Sequence, residues 1–110
     1  MSKYLFIESR DPFDSKDVLQ TYGLVKELCN QGHDVALYLI QNGVLAVRKD
    51  AKVTLLPEIL SDKKARVLVD DYSLSERGIL KDQVPGSAKV SNADELVDLI
   101  MEDQRKPIWH

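Results

Sequence analysis

The stretch Val67-Leu68-Val69-Asp70-Asp71-Tyr72-Ser73-Leu74-Ser75-Glu76-Arg77-Gly78-Ile79 decides how this chain is read. Its first three residues, entered from Ala65-Arg66, have the apolar, β-branched character of a short strand buried on both faces. The sequence then turns acidic. Ser73 and Glu76 stand three apart and read as a capping box that starts a helix, with the hydroxyl accepting from the amide at the third helical position and the carboxylate reaching back to the cap's own amide. A strand that breaks through a polar turn into a helix N-terminus is where open α/β sheets place their sites, because amide donors and strand ends converge at the carboxyl edge. These residues give a location and, alone, no chemistry.

The chain of 110 residues is read as a single domain, 1-110, large enough to bury a core without staples. Its net charge of -3, with both signs interspersed, argues against nucleic acid or anionic lipid as an electrostatic partner. The densest basic cluster, Lys63-Lys64 with Arg66, falls in a predicted turn, where solubility is reason enough for it. One cysteine excludes an internal disulfide framework and fits a reducing cytosol. The apolar run after Lys3 is halted by Glu8, short of a signal peptide, and Val35 to Ile40 is too short to span a membrane, so a soluble cytoplasmic protein is expected.

Working outward, Lys3 to Ile7 reads as the first strand, followed by the loop Glu8-Ser9-Arg10-Asp11-Pro12. Val18, Tyr22, Val25 and Cys29, with Leu24 and Leu28 alongside, form an apolar stripe at helical spacing, capped by Asp14 or Ser15 and stopped by Gly32. Gly23 inside it is a tolerated weak residue or a mark of close packing. Asp34 to Ile40 is the second strand and ends in Gln41-Asn42-Gly43. Asn42 is placed as the cap of a short helix from about Val44, and Gly43 lets the backbone turn tightly or approach a ligand. Val53 to Leu60 reads either as an extended segment or, the reading preferred, as a helical turn begun by Pro57 and carrying Ile59 and Leu60. After the Pro85-Gly86 loop, Ala88 to Val90 is a fourth strand. Asn92 with Glu95 opens a last helix with Leu96, Val97, Ile100 and Met101 on one face, closed by Pro107. Strands alternate with helices throughout, which predicts a mostly parallel sheet with helices on both faces, a flavodoxin-like three-layer sandwich.

With these elements in order, the chain resembles the DsrE/DsrF/DsrH superfamily of small sulfur-relay proteins, and within it the DsrH/TusB branch. The residues that carry the resemblance are Gln41-Asn42-Gly43-Val44 after a strand, the strand-turn-helix ending Leu74-Ser75-Glu76-Arg77-Gly78-Ile79, and the near-terminal Trp109. It implies a cytoplasmic subunit that assembles as a trimer or hexamer with sibling subunits bearing a loop cysteine. That assembly would pass persulfide sulfur toward tRNA thiouridine or in dissimilatory sulfur metabolism. Counting back from Arg77, the place of the carrier cysteine is held here by Asp70, with Asp71 and Tyr72 beside it, and a carboxylate can form neither a persulfide nor a mixed disulfide. The resemblance therefore implies a subunit without catalytic activity of its own, whose Asn42, Gly43, Asp70, Asp71 and Tyr72 line a surface facing the partner's cysteine loop, supported by Arg77. Cys29, on the apolar stripe near a helix C-terminus, reads as structural.

Other constellations are weighed alongside. Cys29 and His33 are four apart, but Gly32 interrupts the helix between them. Asp70 and Asp71 form either a solvated acidic turn or, if the loops converge, a hard-cation site with Glu8 or Asp11. Asp70 also has Arg77 or Arg10 as possible ion-pair partners. No phosphate loop is present and no cofactor is read. Trp109 either anchors into a neighbouring subunit or folds back on the last helix, and Tyr72 has the same two readings. The rival from another class is a stand-alone homo-oligomeric domain that binds a small molecule or nucleotide in the crevice at the carboxyl edge.

Overall fold

Each near-continuous apolar run folds as a strand, and because each is apolar on both sides, the strands lie together as the middle layer of the molecule. The computed structural model describes residues 1-62 and 65-110, so the Lys63-Lys64 part of the basic cluster lies outside the described residues. In chain order the elements are β1 Lys3–Glu8, α1 Asp17–Asn30, β2 Asp34–Leu39, a 3₁₀ helix Gln41–Val47, α2 Leu56–Asp62, β3 Ala65–Asp70, α3 Asp71–Glu76, a short 3₁₀ turn Lys81–Gln83, β4 Ala88–Ser91, α4 Ala93–Met101 and β5 Arg105–Trp109. The sheet order is β4-β3-β2-β1-β5, and every neighbouring pair is parallel. The flavodoxin-like three-layer α/β sandwich expected from the alternation is thus what the chain forms.

The two cores follow from this order. From β1 to β4 the chain steps always in one direction, so right-handed crossovers carry α1, α2 and α3 to one face. There Val18, Tyr22, Val25, Cys29, Ile59 and Leu74 pack on Phe6, Leu37 and Val69. The step from β4 to β5 crosses the whole sheet in reverse and puts α4 alone on the other face, with Leu96 and Leu99 over Leu5, Ile7, Tyr38 and Leu68. Burying an aliphatic side chain of this kind stabilises by about 1.5–3 kcal/mol.

Several local expectations are corrected. The first residue flanking α1 is Lys16, with no side-chain cap, rather than Asp14 or Ser15; both of those turn back on the Asp11 carbonyl. The other end behaves as expected: Gly32 is left-handed, its amide donates to the Cys29 carbonyl, and the His33 amide donates to that of Leu28. A Cβ on Gly23 would meet Leu55 at an ordinary 3.9 Å, so Gly23 is a tolerated residue. Asn92 caps α4 as expected, but Glu95 does not close the box, because its carboxylate is taken by Ser91 and Lys89. On α4 the buried residues are Leu96 and Leu99, whereas Val97 and Met101 are 55% and 77% exposed and Ile100 is also exposed.

The tail after Met101 forms a strand, β5, which the reading of Pro107 as a mere helix stop missed. Pro107 is admissible because β5 is an edge strand. What seats β5 is Arg105, whose guanidinium is wholly buried. It donates to the carbonyls of Tyr4 and Asp34 and to the carboxylates of Asp34 and Glu102, at 3.0–3.2 Å, and so ties together β5, β1 and β2. The hydrogen bond from Arg105 holds the Asp34 carboxyl below its ordinary value of 3.8. The unfolded chain therefore binds more protons in acid, and this contribution is present above that value and lost as the pH falls through the depressed one.

Two predictions follow from these constraints. Arg105→Met is expected to lose about 2–4 kcal/mol in equilibrium urea unfolding, less than for a pair wholly out of water because the carboxylates are partly exposed. The variant should also show a flatter stability profile than the wild type between about pH 2 and 5. A Cβ at Gly43 would sit 2.2 Å from the Glu8 carbonyl oxygen, so Gly43→Ala should cost about 2 kcal/mol or more in the same assay, since rigid strand backbone must move.

Candidate functional site at the carboxyl edge

All the strands end at one edge, where Ser91, Asp70, Leu39, Glu8 and Trp109 stand in strand order. Asp70 is the last residue of β3 and is buried. A carboxylate out of water must have its oxygens occupied, and this one does. The Tyr38 hydroxyl donates to Oδ1 at 2.7 Å, and the amide and hydroxyl of Ser73 donate to Oδ2 at 2.9 and 2.7 Å. Burial, then the hydrogen bond to Asp70, push the Tyr38 phenol well above its usual range, so it stays a donor. Asp70 is thus the cap of α3. Ser73, read from sequence as the cap, is the third helical residue whose amide is being capped, and Glu76 is the exposed last residue of α3. The Ser73 hydroxyl in turn accepts from the Gln41 amide at 2.8 Å, and Gln41 is held left-handed at φ 53°. One buried carboxylate therefore sets the turns after both β2 and β3.

Of the residues expected on a partner-facing surface, Asp70 is accordingly not on one. Gly43 is also buried, packed on the Glu8 carbonyl, so the close approach it permits is to backbone rather than to a ligand. Asn42 is exposed and lies inside the 3₁₀ helix instead of capping it, since the flanking residue is Ile40. Its Oδ1 accepts from Arg77 Nε and Nη2 at 3.1 and 3.0 Å, while Arg77 Nη1 donates to the Ser73 carbonyl. Arg77 thus supports this surface by bridging the two turns, and does not pair with Asp70. Asp71 is partly exposed and Tyr72 is 69% exposed. Asn42 and Arg77 are brought into contact, and Asp71 and Tyr72 stand in the first turn of α3, the helix that Arg77 follows.

A second cluster lies two strands away. Glu8 ends β1 fully buried, and its Oε1 is 2.7 Å from Nδ1 of His110. Thr21 Oγ1 is 3.2 Å from the same nitrogen, and Glu8 Oε2 accepts from the Arg10 amide. Glu8 is therefore committed away from Asp70, β2 lies between them, and Arg10 pairs with Asp17, so the loops do not converge on a shared cation. Among the described residues, no group of three His, Cys, Asp or Glu is placed to hold a metal ion. His33 accepts from the Ser2 amide through Nδ1, while Cys29 is buried in the α1 core at the amino end of the sheet. Trp109, in register with Ile7, is 60% exposed and does not fold under α4. A groove of about 640 Å³ opens beside Ala65 to Leu68 and Gly86 to Lys89, at the amino half of β3 and β4, on the side away from this edge.

The family model of the DsrE/DsrF-like family matches residues 2–106, nearly the whole chain. The chain belongs to the DsrE/DsrF-like family. That family is associated in general with sulfur relay. Among solved structures, the fold matches YchN of E. coli with a TM-score of 0.82 at 20% identity, covering 98% of this chain and 100% of that one. It also matches MTH1491 of Methanobacterium thermoautotrophicum, described as a protein of unknown function, with a TM-score of 0.81 at 18% identity and full coverage of both chains. At these identities the likeness is one of fold. No curated protein matches the sequence. No helix among the described residues is long and apolar enough to cross a membrane.

The residues missed from sequence are Tyr38, hidden in an apolar run, the Glu8 and His110 pair, 102 positions apart, and Arg105. Only the charge of Glu8 directly after an apolar strand gave a signal. Because Asp70 satisfies three donors, Asp70→Ala should lose about 2–4 kcal/mol in urea unfolding, with Tyr38 and Ser73 left unpaired. Asp70→Asn, which keeps the size and part of the hydrogen bonding, should lose less.

Proposed function

We propose that this chain is a cytoplasmic subunit of a sulfur-relay assembly, of DsrH/TusB type, that carries no sulfur itself. The observation that supports this reading is the state of the carrier position. Asp70 stands where the resemblance places the loop cysteine of carriers, and its carboxylate is buried and saturated with structural hydrogen bonds. Cys29 is buried against α2 and the sheet at the other end of α1. Relay needs a thiolate that can reach a persulfide, and neither residue meets that need.

The subunit then acts through its surface. Asn42, Asp71, Tyr72 and the bridging Arg77 face the cysteine loop of a sibling, and the exposed Trp109 gives an aromatic anchor of the kind enriched at interface hot spots. Asp71 raises the pKa of a thiol brought beside it and Arg77 lowers it, so the two tune that thiol in opposite directions. The complete assembly is a trimer or hexamer serving tRNA 2-thiouridine synthesis or sulfur oxidation.

Affinity purification from the source cell followed by native mass spectrometry is the test. A stoichiometric complex with small siblings that bear a loop cysteine is the expected result, and a homo-oligomer with no sibling overturns the reading. Within the complex, Cys29→Ala should leave sulfur transfer unchanged, and its loss with the fold intact would make Cys29 a carrier. Tyr72→Ala should weaken sibling binding roughly tenfold with an unchanged melting temperature.

A further inference from the structure

Glu8 and His110 form a cluster at the carboxyl edge that lies outside the cap network around Asp70. The imidazole is fixed from several sides. Its own amide donates to the Ile7 carbonyl at 2.9 Å, and its carbonyl accepts from the amide and hydroxyl of Ser9 at 3.0 and 2.9 Å. Its Nδ1 is held between Glu8 Oε1 and Thr21 Oγ1. A carboxylate only accepts hydrogen bonds, so Nδ1 carries the proton and Nε2 is the atom left to act. The side chain is 24% exposed, and no residue among those described hydrogen-bonds Nε2. A carboxylate that fixes the tautomer of an imidazole and stabilises its cation is the arrangement that makes histidine an effective acid-base group.

Two further observations point to a ligand here. The pair sits between β1 and β5, where the strand order reverses, the position at which open α/β sheets bind. Beside it, the Tyr22 hydroxyl is buried and has no hydrogen-bond partner among the described residues. Burial, then the charges of Glu8 and Asp11, hold it protonated, so it is a donor lacking an acceptor. The cluster also adjoins the turn after β2, because Gly43 packs on the carbonyl of Glu8 itself.

We propose that His110, oriented by Glu8, is the proton acceptor and donor for the cysteine that a sibling subunit brings to this edge. The inference rests on the sulfur-relay reading above. His110 Nε2 takes the proton from the sibling's thiol, and the thiolate attacks the outer sulfur of a persulfide on a donor cysteine. A new S–S bond forms as the old one breaks, and the departing thiolate takes the proton back from Nε2. The outer sulfur changes hands with its own hydrogen, so no external oxidant or reductant is consumed.

The test is single-turnover transfer, followed by mass, from a persulfidated donor to the sibling cysteine in the purified complex. His110→Gln, which keeps an amide for Glu8 and Thr21, should slow transfer roughly tenfold or more, with complex mass and melting temperature unchanged. His110→Ala should be slowed likewise and partly rescued by imidazole in the buffer, which restores a proton acceptor and cannot restore a tail anchor. Transfer at the wild-type rate in His110→Gln, or slowing in His110→Ala that imidazole does not relieve, overturns the proposal while leaving the subunit reading standing. Absence of any sibling complex with the wild-type chain overturns both.

Discussion

The buried carboxylate of Asp70 is the constraint on which the carboxyl edge depends. A parallel sheet ends in strands that must each turn into a helix, and the amides at those turns need acceptors. Here one side chain serves the first turn of α3 directly, anchors Tyr38 on the neighbouring strand, and through the Ser73 hydroxyl reaches the left-handed Gln41 that starts the 3₁₀ helix. Arg77 closes the same loop from the other side by joining the Ser73 carbonyl to Asn42. The turns that carry Asn42 and Asp71 are tied to each other for this reason. It also explains why Asp70 is unsuited to solvent-facing chemistry, since every oxygen it could offer is already used inside the fold.

The second determinant is the asymmetry of the helical layers. α1, α2 and α3 cover one face, whereas α4 crosses the other alone to deliver β5 to the far edge. A nine-residue helix cannot shield a five-stranded sheet and also bury its own apolar residues. Val97, Ile100 and Met101 remain exposed, as does Trp109 on the same side of β5. The edge strand β5 is kept in place by polar devices at its two ends: Arg105 with Asp34 and Glu102 at one, His110 with Glu8 at the other.

What the sequence determined by itself was whatever follows from local pattern. The apolar runs at Lys3 to Ile7, Asp34 to Ile40 and Val67 to Val69 could be nothing but buried strands. The stripe from Val18 to Cys29 required a helix, Gly32 a left-handed stop, and the alternation of these elements a parallel three-layer sandwich. The tertiary structure alone decided the rest, because it depends on distance in space rather than in sequence. Whether Ser73 or Asp70 caps α3 is settled by Tyr38, which arrives from another strand. Leu99 rather than Val97 is buried because of where α4 crosses the sheet. Arg105 to Trp109 pair as a strand only because β1 presents a free edge, and Glu8 meets His110 only once that strand is in place. Periodicity records which face of an element is apolar, but carries no information about which remote polar group will come to satisfy it.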